Sequence, residues 1–226
     1  MNPPADSRTA LLAGATGLTG GCLLRELAGR YSTTYVLARR TIGLPPRCAL
    51  IEVDFDRLPA VLPGADVYCA LGTTIRKAGS REAFRRVDYG YPLAIARAAR
   101  AGGARQFLLV SSVGADPGSA NFYLRVKGEL EEALAGVGFD ALHLFRPGVL
   151  LGDRGESRPG EAIGKVISIA VGALLAGPLR KYRAMPADRL ARAMVQAGVR
   201  SEAREGAAGV GGRHVYHWGE IAGELT

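Results

Sequence analysis

The fold is decided by residues 9–24, which read TALLAGATGLTGGCLL. Three glycines, Gly14, Gly17 and Gly20, lie between two apolar runs, although a glycine costs about 0.5–1 kcal/mol relative to alanine inside a regular element. A strand, a glycine turn and a helix explain the pattern, because Gly14 can turn the chain tightly, Gly17 lets the backbone approach a pyrophosphate, and Gly20 lets the helix pack on the sheet. We therefore predict a dinucleotide-binding turn with phosphates at the helix N-terminus, and a purely structural glycine turn is the alternative.

Apolar, strand-like runs alternate with helical segments along the rest of the chain. Because strands that are apolar on both faces and alternate with helices are typical of a parallel sheet covered by helices, the sequence predicts an α/β Rossmann-type fold, a doubly wound parallel sheet with helices on both faces. We expect a single domain over residues 1–226, with 147–226 contributing a small C-terminal substrate lobe and 1–8 forming a frayed leader. The predicted strands cover residues 9–14, 33–38, 48–54, 65–71, 106–112 and 141–145, and the predicted helices cover 17–30, 80–101, 122–135, 162–176 and 187–199, followed by a short strand and helix.

The composition disfavours several classes of protein. The formal net charge is +8, but only four of the 29 basic residues are lysines and the arginines are scattered in runs no longer than two, which favours a small phosphorylated ligand over nucleic acid. The apolar stretch 166–179 contains two glycines and a proline and is too short to span a membrane. The widely spaced Cys22, Cys48 and Cys69 indicate free thiols in a reducing compartment, so we predict a cytoplasmic protein. The three histidines lack a ligand pattern, which indicates no metal site.

The second predicted strand ends in YVLARR, which puts Arg39 and Arg40 where an acidic residue would bind the ribose of NAD. Guanidinium groups pair bidentately with phosphate, so this pair indicates the 2′-phosphate of NADP(H), and two solvated surface arginines are the alternative. Asp54 ends the third strand, where it can hold the adenine amino group. The residues after the fourth strand that we expect against the nicotinamide ribose are Leu71, Gly72 and Thr73.

The segment VSSVGADPGSANFYLRVKGELEEAL, residues 110–134, carries the predicted chemistry. Tyr123 and Lys127 are four residues apart on a predicted helix and therefore share one face. A nearby cation lowers the pKa of a tyrosine from about 10, so a tyrosine at this position can donate a proton to a carbonyl oxygen while hydride arrives, or accept it in reverse. Ser111 and Ser112 end the preceding strand and can bond the same oxygen. A surface tyrosine–lysine pair is the alternative.

The motifs GATGLTG, VSS and YLRVK resemble those of the short-chain dehydrogenase/reductase superfamily. More narrowly, LGTTIRKAGS, FRRVDY, SSVGAD, FYLRVKGELE and FRPGVLLGDRGESRPGE resemble its atypical branch, over residues 9–161. The resemblance implies a Rossmann fold, NADP(H), Tyr123 as the proton donor or acceptor, and Lys127 on the nicotinamide ribose. It favours Ser111 over Ser112, because Ser111 is closer to the V-S-x-x-G-A-D pattern of the branch. It also implies cofactor contacts from Thr16, Gly17, Leu18, Thr19, Arg39, Arg40, Leu71, Gly72, Leu150 and Arg158.

Three functions are consistent with these motifs. The first is an NADP(H)-dependent oxidoreductase that transfers hydride between NADPH and a carbonyl or alcohol substrate, and it is favoured by the presence of Tyr123, Lys127 and a serine. The second is an NADPH-binding regulatory or redox-sensing protein that acts through a protein partner with little catalysis, for which the glycines and arginines alone suffice. The third is an epimerase or dehydratase of the extended type, which the pair Arg39-Arg40 disfavours because such enzymes tend to hold NAD with an acidic residue.

Overall fold

The computed structural model describes residues 6–152, 177–205, 212–223 and 225. The strands are β1 (Asp6–Ala13), β2 (Tyr31–Ala38), β3 (Cys48–Glu52), β4 (Asp66–Cys69), β5 (Gln106–Val110), β6 (Ala141–Phe145), β7 (Leu150–Leu151), β8 (Met185–Pro186) and β9 (Gly212–Tyr216). The helices are α1 (Leu18–Ala28), α2 (Ile75–Ala78), α3 (Arg81–Arg85), α4 (Tyr91–Ala101), α5 (Phe122–Ala135), α6 (Ala187–Glu205) and α7 (Trp218–Ala222), with a π-helix at Arg86–Gly90 and a 3₁₀ helix at Gly177–Tyr182.

Seven of these strands form one parallel sheet in the order β3-β2-β1-β4-β5-β6-β9. The chain runs outward from β1 through β2 to β3 and then returns to the other side of β1 with β4. The direction of winding therefore reverses between β1 and β4, where Ala13 lies opposite Cys69. Ligands of doubly wound sheets bind outside the carboxyl ends of the strands at such a switch point. The short strands β7 and β8 pair with each other.

Apolar side chains cover both faces of the sheet, as a buried parallel sheet requires. On one face, residues of β1 pack against α1 and α6 in a cluster that includes Leu12, Leu23 and Met194. On the other face, α4 and α5 pack against the central strands through residues such as Ile95 and Leu130. The predicted fold class is confirmed. Across the residues described, no helix has both the length and the apolarity needed to cross a bilayer.

Two parts of the chain differ from the expectation. Strand β1 begins at Asp6, so residues 6–8 of the expected leader belong to the sheet, and Asp6 lies opposite Tyr31 of β2. The expected C-terminal lobe supplies elements of the main domain, because β9 pairs with β6 and α6 packs on α1. In both cases a strand is formed by pairing with a strand that is distant in sequence, Asp6 with Tyr31 of β2 and β9 with β6, and a local sequence pattern does not show such pairing. The predicted helix at 162–176 lies outside the described residues.

The predicted helix at 80–101 is a succession of three helices rather than one. The Ser80 side chain caps α3 by accepting the N–H of Ala83 at 3.0 Å, and Gly102 follows the end of α4. Between α3 and α4, the π-helix adds a residue to one turn, a feature that occurs frequently at functional sites. Asp88 lies in this π-helix and is almost completely buried.

Candidate active site

The turn between β1 and α1 packs against the chain that follows β4. Gly14 has a φ of +94°, a conformation that favours glycine, and its carbonyl accepts the N–H of Gly17 at 2.9 Å. A Cβ atom at Gly14 would lie 2.7 Å from the carbonyl of Ala70, and a Cβ atom at Gly20 would lie 1.9 Å from the Gly14 oxygen. Both positions therefore require glycine for the close approach of backbone to backbone.

Gly17 differs from these two because its surface is open. It precedes the first residue of α1, and among the described residues a Cβ at Gly17 would meet only the Gly14 oxygen within 4 Å, at 3.3 Å. In residues 6–152, no side chain caps α1 and no acidic residue lies in its first turn. Free N–H groups and the partial positive charge of a helix N-terminus bind anions. The turn therefore fits a pyrophosphate. Thr16 is exposed there and Leu18 is half-buried, whereas Thr19 is buried.

A pocket of about 470 Å³ lies between this turn and the end of β2. Arg39 and Arg40 are exposed at its edge, and among the residues described neither guanidinium forms an ion pair. Free guanidinium groups beside a pyrophosphate site suit an additional phosphate. The pocket is lined by Gly14, Ala15, Thr16, Leu37, Ala38, Arg39, Arg40, Ile42, Phe55 and Leu71.

A neighbouring pocket of about 400 Å³ places Asp54 beside Arg39, together with Glu52 and Val53. One oxygen of Asp54, Oδ1, accepts the backbone N–H of Asp56 at 3.0 Å. The carboxylate is thus oriented by its own turn, and it remains exposed at the carboxyl edge of β3.

Tyr123 lies in the first turn of α5, where local contacts fix its position. The Asn121 side chain caps the helix and accepts the N–H groups of Tyr123 at 2.9 Å and Leu124 at 3.3 Å. The Tyr123 ring packs on the ring of Phe84, with 5.7 Å between the centroids. Because Phe84 is fully buried, the tyrosine ring rests on the core.

Lys127 lies one turn further along α5, and its ammonium group is buried against Asp88. Lys127 Nζ is 2.8 Å from Asp88 Oδ1, and Asp88 Oδ2 accepts the backbone N–H of Thr73 at 2.8 Å. A Cβ atom at Gly72 would lie 3.9 Å from Lys127 Nζ, so the lysine lies beside the loop that follows β4. Burial disfavours the charged form of Lys127, but the Asp88 carboxylate and Tyr123 outweigh it, and the pKa of Lys127 is raised.

Ser111 lies at the end of β5 in a buried hydrogen-bond network. Its Oγ donates to Glu131 Oε1 at 2.5 Å, and the fully buried Glu131 also accepts Arg146 Nε at 3.0 Å, Arg146 Nη2 at 2.5 Å and Arg213 Nη2 at 3.0 Å. The single hydroxyl hydrogen of Ser111 is therefore engaged in the hydrogen bond to Glu131. Ser112 is half-buried and donates to a neighbouring backbone carbonyl at 3.3 Å.

The last two residues predicted as cofactor contacts lie beyond β6. Leu150 is part of β7 and lies opposite Met185. A Cβ atom at Gly152 would come within 2.5 Å of the Leu18 side chain, so the segment after β7 reaches the N-terminal end of α1. Arg158 lies outside the described residues.

Two buried carboxylates of the site, Asp88 and Glu131, were not predicted from the sequence. Asp88 follows Phe84 by four residues and precedes Ile95 by seven, which puts a carboxylate on the apolar stripe of a helix. Glu131 continues the stripe of Tyr123 and Lys127 at the same four-residue spacing. Acidic residues are almost never fully buried without a partner. A carboxylate at an apolar position of a helix was therefore the sequence signal for each of these two buried, paired groups.

Comparison with known proteins gives relatives along most of the chain. Protein HTATIP2 of Rattus norvegicus is 44% identical over 165 residues, which cover 69% of this chain and 68% of that protein. The mitochondrial protein fmp52 of Aspergillus niger is 36% identical over 203 residues, covering 84% of this chain and 86% of that protein. The solved structure of MoeE5 with UDP-glucose and NAD superimposes with a TM-score of 0.65 at 16% identity, over 95% of this chain and 80% of that chain. No family model matches the chain.

The parallel sheet, its switch point and its glycine turn define a protein with a doubly wound Rossmann-type fold. The structural likeness to MoeE5 supports the fold alone, because its sequence identity is low. Within this class, the chain belongs to the family of HTATIP2 and FMP52.

The predicted cytoplasmic location is wrong. The fungal FMP52 relatives, at 32–36% identity, are named as mitochondrial proteins. The prediction rested on free cysteines, and free thiols indicate a reducing environment without identifying the compartment.

Proposed function

We propose that the chain is an NADP(H)-dependent oxidoreductase that transfers hydride between NADPH and a carbonyl or alcohol substrate. The observation that carries the proposal is the arrangement of Tyr123 and Lys127 on one face of α5, with the lysine beside the Gly72 loop at the switch point. A tyrosine and a lysine at the carboxyl edge of a doubly wound sheet lie where a bound dinucleotide would present its nicotinamide ring.

The glycine turn and the open N-terminus of α1 would hold the pyrophosphate of the cofactor. Arg39 and Arg40 would pair with the 2′-phosphate, and Asp54, beside Arg39 in the neighbouring pocket, would accept the adenine amino group. When bound, NADPH supplies the hydride. The resemblance adds contacts from Leu71, Gly72, Leu150 and Arg158. The proposal also retains the contact expected of Thr73 from its position after the fourth strand.

Tyr123 would hold and donate the proton. Its ring is fixed by Phe84 and by the Asn121 cap, so its hydroxyl can be presented to a carbonyl oxygen without loss of side-chain freedom in each cycle. Lys127, one turn further along the same face of α5, would bind the nicotinamide ribose. The hydroxyl of Ser111 donates its hydrogen bond to Glu131. Ser111 would therefore have to break this bond before it could donate to the substrate oxygen.

The engaged serine is also the observation that favours the second function, an NADPH-binding regulatory protein that acts through a protein partner. A regulator needs the glycine turn and the arginines but no free hydroxyl for catalysis. The two functions predict different results for one substitution.

Tyr123→Phe removes one oxygen atom and keeps the ring on Phe84. For the oxidoreductase, we expect NADPH binding to be retained and the rate of NADPH oxidation with an active carbonyl compound to fall by about 10²–10⁴, the usual effect of losing a general acid. Tyr89→Phe is the matched control, because Tyr89 is also half-buried and its ring packs against Arg85. Equal rates for the native chain and Tyr123→Phe would remove Tyr123 from the mechanism and favour the regulatory function.

The choice of cofactor is tested separately. Replacing Arg39 and Arg40 together by alanine should weaken NADPH binding by at least about tenfold and leave NADH binding nearly unchanged, because NADH lacks the 2′-phosphate. Arg57→Ala, at another exposed arginine, controls for the loss of general positive charge. The measurement is a fluorescence titration with each cofactor, and equal affinities of the native chain for NADPH and NADH would contradict NADP(H) specificity.

A further inference from the structure

Within the part of the chain that the structure describes, Asp88 has two polar partners and is almost completely buried. Its side chain is 1% exposed, and that of Lys127 is 5% exposed. One oxygen holds the Lys127 ammonium group and the other accepts the Thr73 N–H, each at 2.8 Å. The same carboxylate thus joins the π-helix to α5 and to the loop after β4.

The surroundings of Lys127 explain why this carboxylate is needed. The titratable groups that face the lysine are Asp88 from the π-helix, Tyr123 from its own helix and Cys69 at the end of β4. Cys69 is neutral at physiological pH, since burial raises the pKa of its thiol to about 11. Asp88 is therefore the group that compensates the buried charge, and without compensation a buried ammonium group loses its proton or moves toward water.

We propose that Asp88 is a positioning residue of the site, which holds the Lys127 ammonium group in its charged form against the loop of Gly72 and Thr73. This inference rests on the proposed function in one respect, namely that Lys127 faces the cofactor. Asp88 lies in the π-helix Arg86–Gly90, and turns of this type occur frequently at functional sites.

Asp88→Asn tests the charge in isolation, because an asparagine oxygen can still accept the Thr73 N–H. The protein is prepared without cofactor and with lysine labelled at the ε-carbon. The chain contains four lysines, so the NMR spectrum is simple, and Lys127→Met assigns the Lys127 signal. We expect Asp88→Asn to shift the Lys127 titration to lower pH by about one unit or more, the effect of removing an adjacent opposite charge.

Glu129→Gln is the matched control. It removes a carboxylate from the same helix, but one that pairs with Arg85 at the surface, so the Lys127 titration should stay where it is in the native chain. An unchanged Lys127 titration in folded Asp88→Asn would overturn the proposal.

Cofactor binding gives a second readout, and it remains usable if Asp88→Asn alone fails to fold. The pair Asp88→Asn with Lys127→Met buries no charge, so it should fold and bind NADPH as Lys127→Met does, because Asp88 acts through the lysine. A further loss of about tenfold in the double variant would contradict the proposal. The NMR titration needs neither cofactor nor turnover, so a chain without oxidoreductase activity would refute the proposed function and still test Asp88.

Discussion

The glycines Gly14, Gly17 and Gly20 of the first turn differ in how closely other atoms surround them. Backbone atoms lie within 2.8 Å of a Cβ atom at Gly14 or Gly20, whereas a Cβ atom at Gly17 would meet the Gly14 oxygen at 3.3 Å and Gly17 is exposed. The sequence pattern predicts a tight turn at Gly14, which has a positive φ, and packing of the helix on the sheet at Gly20, where the close contact is with the Gly14 carbonyl of the turn. The binding role of Gly17 stays a prediction.

Substitutions at these glycines should separate folding from binding. Gly20→Ala should lower the free energy of unfolding by about 1–3 kcal/mol, because its Cβ would lie 1.9 Å from the Gly14 oxygen. Gly17→Val should leave the fold intact and abolish NADPH binding, because its side chain would occupy the pyrophosphate position. Urea unfolding and a cofactor titration measure the two effects.

Gly21→Ala is the control for helix propensity, because a Cβ there would meet its nearest neighbour at an ordinary 3.7 Å. It should stabilise the chain by a few tenths to about 1 kcal/mol. If folded Gly17→Val retained its NADPH affinity, the turn would serve packing alone.

Asp88 shows why the sequence did not reveal the complete site. Arg39, Arg40 and Tyr123 can be assigned from their position in strands and helices, since that position alone brings them to the carboxyl edge. Asp88 acquires its role only through contact with Lys127, which lies 39 positions away in the chain. Ser111 was identified from the sequence, but its hydrogen bond to Glu131 was not, because that bond depends on how α5 packs on β5.

At the scale of secondary-structure elements, Glu131 connects one helix to three strands. The carboxylate lies on α5, and its partners Ser111, Arg146 and Arg213 lie on or next to β5, β6 and β9. Each strand therefore contributes one donor residue to a single buried carboxylate, and these bonds hold the helix against the edge half of the sheet.

Glu131→Gln should lower the free energy of unfolding by about 2–4 kcal/mol. Breaking a buried ion pair by removing one partner is strongly destabilising, and the partial exposure of both arginines reduces the effect. Glu129→Gln on the same helix should change the stability by less than about 1 kcal/mol, because its partner Arg85 is exposed. Urea unfolding of both variants measures their free energies of unfolding. Similar losses of stability in the two variants would show that burial of the carboxylate does not determine the size of the loss.

The elements themselves were largely predictable. The limits of α5 and β6 agree with the prediction, because helix and strand periodicity are local signals. The π-helix was not predicted, since α and π turns have similar residue preferences and differ in which carbonyl accepts each N–H. The start of β1 was also missed, because Asp6 pairs with Tyr31 on a neighbouring strand.

At the scale of the whole molecule, His143 should make stability depend on pH. This residue of β6 is 2% exposed, its Nδ1 lies 2.9 Å from the Tyr216 hydroxyl, and its ring stacks on His214. Burial, with a smaller contribution from His214, lowers the pKa of His143 to about 3. The folded chain therefore favours neutral His143, so its contribution to stability is complete above about pH 6.5 and is lost as the pH falls toward 3.

His143→Phe tests this contribution because it keeps an aromatic ring and removes the titration. Between pH 6.5 and 4, the native chain should lose roughly 2–4 kcal/mol more stability than the variant. At pH 7 the variant should be slightly less stable, since the Tyr216 hydroxyl loses a partner. Urea unfolding across this pH range measures both curves, and parallel curves would contradict the assignment.

The position of β9 has a consequence for how the protein is made. All five residues of β6 are buried, yet β6 becomes an interior strand only when β9, the last strand in chain order, pairs with it. Until residues 212–216 leave the ribosome, the nascent chain presents an apolar strand with an unpaired edge, the kind of surface through which chains aggregate. Pairing between segments so far apart is also slow. Yield in the cell should therefore depend on how well the edge of β6 is shielded until β9 pairs with it.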